Sequence, residues 1–241
     1  MKIIFNFLYL SKDIIYYIIY KMPKRSYELS FGQNSEKYRK KLDKGEEEED
    51  ENAEMPEMDI FGTGDAVSVR DNHIYFYGKV STKNAVKINT SLKDISKRLL
   101  NLQNELSVDN LKIYLHINSF GGSVFAGLSI IDTIISNPVP VVSIVEGSAA
   151  SAATLISVVC SERQIRPNSF MLIHQMSSGF WGKMEEIKDE YINLKKLTKK
   201  LKGIYKDHTT IDKDQLKGLL KRDLWLDSKE CLEYGLVDSV E

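Results

Sequence analysis

Apolar positions along the second three-quarters of the chain change period several times, and each change marks an element. Ile74-Tyr75-Phe76-Tyr77 is a β-rich run closed by Gly78. Between Ala85 and Leu106 the apolar residues Val86, Ile88, Leu92, Ile95, Leu99, Leu102 and Leu106 fall at helical spacing. Lys112 to Ile117 alternates around Ile113, Leu115 and Ile117 and predicts a strand. Ser123 to Ser136 returns to helical spacing through Val124, Leu128, Ile131 and Ile135, and Asn137-Pro138 ends it. Val139 to Val145 is a β-branched run of the kind expected in a strand covered on both faces. Ala149 to Val159 is small and apolar and predicts a buried helix, and Ser169 to Ile173 a further strand. Met184, Ile187, Tyr191, Leu194, Leu197, Leu201 and Ile204 then stripe one long amphipathic helix. Strands alternating with crossover helices predict an α/β domain built on a mainly parallel sheet.

The first 57 residues break this pattern. Ile3 to Tyr20 is largely Ile, Phe, Leu and Tyr, but Lys12 and Asp13 sit in its middle. A bilayer span needs about 20 apolar residues with few charges. The shorter stretch Ile3 to Leu10 is followed by no Ala-x-Ala cleavage pattern. The expectation is a leader upstream of a start at Met22, with organelle targeting or N-terminal membrane attachment as the alternatives. Pro23 to Lys44 is basic and polar, and Glu46 to Glu51 is an unbroken acidic block, which reads as solvated linker. Residues 1–57 are thus expected to be a poorly ordered extension, and residues 58–241 one domain.

Charge narrows the partners. Lys and Arg number 33 and Asp and Glu 34, a net charge of −1, so no global field favours nucleic acid or an anionic membrane. At 42% hydrophobic residues a core can form. Two cysteines, Cys160 and Cys231, exclude a disulfide scaffold and a four-cysteine zinc site, and both are expected to fill core positions in a reducing, cytoplasmic setting.

Three segments carry chemistry. Ile117-Asn118-Ser119-Phe120-Gly121-Gly122-Ser123 joins a strand to a helix through two glycines, where free amides can meet an anion or a developing oxyanion; an ordinary tight turn would look the same. Gly147-Ser148-Ala149-Ala150-Ser151-Ala152-Ala153 also joins a strand to a helix. One of its serines is expected to cap the helix, with Ser148 as the cap and Ser151 left as a nucleophile. Met171-Leu172-Ile173-His174-Gln175 brings a histidine to the end of a strand, ahead of a loop containing Gly179. Of His73, His116, His174 and His208, only His174 is so placed. His116 lies within a strand and is expected to point to one of its faces. An acid to orient the imidazole has many candidates downstream: Asp189, Asp207, Asp212, Asp214, Asp223, Asp227 and Asp238.

The ordered set from Ile117–Val124 through Gly147–Ala153, Pro167-Asn168-Ser169, Ile173-His174-Gln175 and Lys221-Arg222-Asp223-Leu224-Trp225-Leu226 to Glu233–Asp238 resembles the proteolytic subunit of the Clp protease, over roughly residues 71 to 240. The resemblance implies a Clp/crotonase-type fold of repeated β-β-α turns, with the helix from Gly182 to Tyr205 as a protruding handle. It implies a serine endopeptidase in which Ser151 is the nucleophile, His174 the general base and Asp223 its orienting acid. The oxyanion amides would be those of Gly122 and Ala152, with Gly121 shaping the substrate-binding loop. It further implies stacked heptameric rings, unfolded or peptide substrates, and a hexameric AAA+ unfoldase. ATP would be used by that partner, and this chain would need no metal or organic cofactor.

Four features depart from the family pattern. Phe120 and Met176 stand where proline is usual and Ala152 where methionine is common. The axial segment that meets the unfoldase is not recognisable before Asp71. A viral head-maturation protease of the same fold, acting without an ATPase, is therefore the alternative reading. A crotonase-type acyl-CoA enzyme needs no such Ser-His-Asp set, and a non-catalytic ring subunit would typically have lost part of it.

Overall fold

The computed structural model describes residues 66–179 and 181–241. The apolar start, the basic and acidic leader, the segment Asp59–Gly64 and the boundary expected near Met58 lie outside the described residues. Strands β1 (Val67–Arg70) and β2 (His73–Tyr77) form an antiparallel hairpin across Asp71-Asn72. Helix α1 (Thr82–Leu106) starts at Ser81, whose hydroxyl accepts the Asn84 N–H. Then come β3 (Ile113–Ser119), α2 (Val124–Ile135), β4 (Val141–Ala150) and α3 (Ala152–Val158). Strands β5 (Glu162–Ile165) and β6 (Phe170–Leu172) precede the long α4 (Met184–His208). The chain closes with α5 (Lys213–Leu219), β7 (Trp225–Leu226), α6 (Ser228–Glu233) and β8 (Ser239–Val240).

The sheet runs β1-β2-β3-β4-β5-β8, with β6 beside β4 and β7 beside β6. Only β1–β2 and β6–β7 are antiparallel. The mainly parallel α/β architecture expected from the alternation is therefore present, including the protruding long helix. Strand β4 is its axis. Val141 to Val145 are all buried, as a strand covered on both faces requires. Its first half pairs with β5 and its second half, Ser148–Ala150, with β6. The pairing with β3 shifts register between Ile117 and Ser119 at the same level. The strand thus changes partners along its length and delivers Ser151 at a point where β3 and β6 also end.

Two helices differ from their sequence pattern. On α1 the buried face is Ala85, Ile88, Leu92, Ile95, Ser96 and Leu99, while Val86, Leu102 and Leu106 are exposed. Val86 is two residues from Ile88 and so lies off that face. On α4 only Ile204 and Tyr205 are buried; Met184, Ile187 and Tyr191 face solvent in the single chain. The apolar stripe of α4 is real, but its N-terminal part does not pack on its own domain.

One side chain locks the C-terminal edge. Arg163 of β5 donates to the Asp238 carboxylate through Nε, at 3.0 Å, and through a second guanidinium nitrogen. It also donates to the carbonyls of His208 at 2.5 Å and Gly235 at 2.9 Å. The hydrogen bonds from Arg163 to the carboxylate hold the Asp238 carboxyl below the ordinary carboxylate range. A depressed native pKa makes a contribution that is present above the unfolded-state value and lost as pH falls through the native one. Arg163→Ala is expected to cost about 3 kcal/mol at pH 7, since charged hydrogen bonds and two carbonyl partners are lost together. Asp238→Asn should flatten the acid limb of stability. Urea melts of wild type and variants at neutral and acid pH check both; an unchanged midpoint for Arg163→Ala would overturn this account of the edge.

Candidate active site

The turn after β4 is held in an unusual shape. Ser151 has φ 55° and ψ −123°, a region that non-glycine residues seldom occupy. Its N–H donates to the Leu172 carbonyl at 2.9 Å, and its carbonyl accepts from the Thr154 N–H at 3.1 Å and the Thr154 hydroxyl at 2.6 Å. The backbone is therefore clamped on both sides of the serine. Such conformations cost about 1–3 kcal/mol and persist only where neighbours over-determine them. The Ser151 hydroxyl makes no capping bond to α3. Ser148 is not the cap either: it lies inside β4 and its hydroxyl donates to Asn118 Oδ1 at 3.1 Å. The expectation of a capping serine was misplaced because β4 runs five residues past Val145, so the helix begins only at Ala152.

Thr154 links this turn to the long helix. Its hydroxyl lies 2.5 Å from the Tyr205 hydroxyl, and both side chains are buried. Burial raises the Tyr205 phenol above its usual pKa. Thr154→Val removes the hydroxyl bond to the Ser151 carbonyl while keeping the backbone one, and leaves the buried Tyr205 hydroxyl unpaired, an expected loss of about 2 kcal/mol. Thermal melting alongside peptide hydrolysis checks this; wild-type behaviour in both would show the clamp to be idle.

The two-glycine turn lies directly against Ser151. Gly121 has φ 90° and Gly122 φ 147°. A Cβ on Gly121 would stand 2.6 Å from the Ala150 carbonyl oxygen and 2.7 Å from Ser151 Cβ, so only glycine permits this approach. The turn is pinned by Val80, whose N–H donates to the Gly121 carbonyl and whose carbonyl accepts from the Ser123 N–H, both at 2.8 Å. Among the described residues, neither Gly122 nor Ala152 donates its N–H to a backbone carbonyl outside the regular elements. Phe120 packs edge-on against Trp225, with ring centres 6.0 Å apart.

His174 and Asp223 are brought together by a short antiparallel pair. Leu172 of β6 faces Trp225 of β7. Continuing that register by two residues places His174 opposite Asp223, and His174 Nδ1 stands 3.7 Å from Asp223 Oδ1. That is a contact of opposite charge type, about 0.5 Å or more beyond a normal hydrogen bond. His174 is partly buried and Asp223 is 81% exposed. Three of the other candidate acids are engaged elsewhere. Asp212 and Asp227 cap α5 and α6, and Asp238 is held by Arg163.

Ser151, Ala152, Gly122 and His174 line one cavity of about 340 Å³. No hydrogen bond joins the Ser151 hydroxyl to His174 among the described residues; catalytic bonds are often loose in structures without substrate. The cavity is completed by Leu201 of the apolar stripe and by residues that periodicity alone did not single out: Thr198, Lys202 and Tyr205 from α4, and Lys217, Leu220 and Lys221 from α5 and the turn after it. The break in the apolar stripe at Tyr205, one residue past Ile204, was the available signal.

The other titratable groups lie elsewhere. His116 faces a polar cluster on β2–β4, with Nε2 2.9 Å from His73 Nδ1 and Nδ1 3.0 Å from Glu146 Oε1. Burial, and then His116 nearby, lower the His73 pKa. Cys160 and Cys231 are free and buried, and burial pushes both thiols up to about 12. Among the described residues no cluster of three His, Cys, Asp or Glu is placed to hold a metal ion, and no helix is long and apolar enough to cross a membrane.

A family model described as Clp protease matches residues 67–241. The chain is 39% identical to the ATP-dependent Clp protease proteolytic subunit of Bacteroides thetaiotaomicron over 56% of its own length and 62% of that protein's. It is 37% identical to proteolytic subunit 2 of Treponema denticola, over 65% of this chain and 78% of the relative. With proteolytic subunit 1 of Leifsonia xyli the identity is 33%, over 71% and 84%. Among solved structures, a ClpP1 point mutant from Listeria monocytogenes superposes with a TM-score of 0.61 at 25% identity, covering 71% of this chain and 91% of that one.

Proposed function

The chain belongs to the Clp protease family, and from that premise we propose that it is a serine endopeptidase working through Ser151, His174 and Asp223. The observation that carries this reading is the Ser151 turn: a strained, doubly clamped residue whose hydroxyl caps nothing and which lines one cavity together with His174. In the proposed reaction His174 takes the Ser151 proton as the hydroxyl attacks a peptide carbonyl. The amides of Gly122 and Ala152 receive the oxyanion, and Gly121 keeps that turn against the serine. The protonated imidazole then passes its proton to the leaving amine, and water hydrolyses the acyl-enzyme by the same base. Asp223 stays ionised and fixes the imidazole tautomer once it closes on Nδ1. No cofactor enters these steps.

The exposed apolar residues Met184, Ile187 and Tyr191 on α4 support a handle that interlocks copies of the chain, in line with two stacked heptameric rings around a chamber. A hexameric AAA+ unfoldase would use ATP to feed in unfolded chains, and a cytoplasmic setting fits that role. The test is hydrolysis of a fluorogenic peptide together with labelling by an uncharged fluorophosphonate, with Ser151→Ala as control. Labelling and cleavage that both vanish in the variant support the reading; a labelled or cleaving variant overturns it.

A further inference from the structure

The lining of the Ser151 cavity is basic in part, and its lysines are exposed. Lys202 on α4, Lys217 on α5 and Lys221 in the turn beyond all belong to it, and no carboxylate does. None of the three makes an ion pair among the described residues. The adjoining groove of about 730 Å³, beyond Met176 and Ser177, adds Lys196 and Lys200 against a single acid, Glu190. This concentration is local, because the chain as a whole carries a net charge of −1. The same cavity is also lined by Leu155, Leu201 and Leu220.

We propose that this cavity receives an acidic side chain, glutamate or aspartate, from the substrate residue whose carbonyl Ser151 attacks, so that proteins are cut preferentially after acidic positions. The proposal rests on the serine endopeptidase reading above. The methylene groups of a glutamate match the apolar part of the cavity, and its carboxylate reaches the ammonium groups at the rim. Attraction at a partly enclosed rim is screened less than on an open surface. A lysine entering the same space meets three like charges, so discrimination comes from repulsion as well as attraction.

The test uses the full-length chain and peptides that differ only at the residue before the scissile bond: Glu, Gln or Lys. At low salt kcat/KM should be about tenfold higher for Glu than for Gln, with Lys lowest, and the Glu-to-Gln gap should narrow in about 0.5 M salt. In Lys202→Glu combined with Lys217→Glu, both at exposed positions, the order should invert, with Lys cleaved faster than Glu. Lys221 is left in place because it neighbours Asp223. Equal cleavage of the Glu and Gln peptides by enzyme that the uncharged fluorophosphonate labels overturns the acidic preference while the serine reading stands. Absence of both labelling and cleavage overturns the serine reading and the preference with it.

Discussion

Ser151→Ala is expected to lower peptide hydrolysis by about 10⁴-fold or more, the scale seen when a triad nucleophile is removed. The fold should survive. The Ser151 hydroxyl makes no capping bond, and the hydrogen bonds that hold the turn run through its backbone to Leu172 and Thr154. Alanine can use the same bonds, so its melting temperature should match wild type. Ser151→Gly separates function from strain more sharply. At φ 55° and ψ −123° glycine is at ease where serine is not. That variant should be equally inactive yet about 1 kcal/mol more stable. Hydrolysis and urea melts of the three proteins check both statements. A destabilised Ser151→Gly would mean that the turn stores no strain, and an active one would remove Ser151 from the chemistry.

Gly122→Ala is expected to damage stability and turnover together. At φ 147° an alanine is strained, and its Cβ would run into the carbonyl oxygen of Val80, a backbone atom that cannot step aside. That same carbonyl accepts the Ser123 N–H, so any shift also loosens the start of α2. A loss of about 3 kcal/mol follows from strain plus a broken turn. The amide of residue 122 would be displaced from the serine, and losing one oxyanion donor costs about 10²–10³ in rate. Fluorophosphonate labelling rates and melting curves measure the two effects separately. Normal melting with slow labelling would place the effect in the oxyanion site alone; normal values for both would refute the close packing at Val80.

Much of this was legible from period and order. The strands at Ile74, Ile113 and Val141 and the helices α1, α2 and α4 follow directly from apolar spacing, although α4 buries only the C-terminal end of its stripe. The short elements β5, β7 and β8 were not legible. Glu162–Ile165 is too polar to read as a strand, and it forms because β4 offers it a free edge on one side and β8 on the other. The site was partly legible in the same sense. His174 stood out by position, but spacing left seven aspartates open. Asp223 comes from the family resemblance and not from spacing; in the structure it nears His174 through the β6–β7 pairing, a contact between segments 53 residues apart, from Leu172 to Trp225. The extent of β4 past Gly147 was hidden for a similar reason: Ser148, Ala149 and Ala150 are small residues with weak strand preference, kept extended by Phe170, Met171 and Leu172.

The locking of β5 has a consequence in time. Gln164 and Ile165 pair with Ser239 and Val240, and Arg163 is satisfied by Asp238. During synthesis the ribosome releases β5 long before β8 exists. For that interval β5 presents an unpaired row of amides and carbonyls, a template for stray strands of other nascent chains. Closure of this edge must wait for β8. A protein with such long-range pairing is expected to fold slowly for its size, and its most vulnerable interval lies between the emergence of β5 and that of β8.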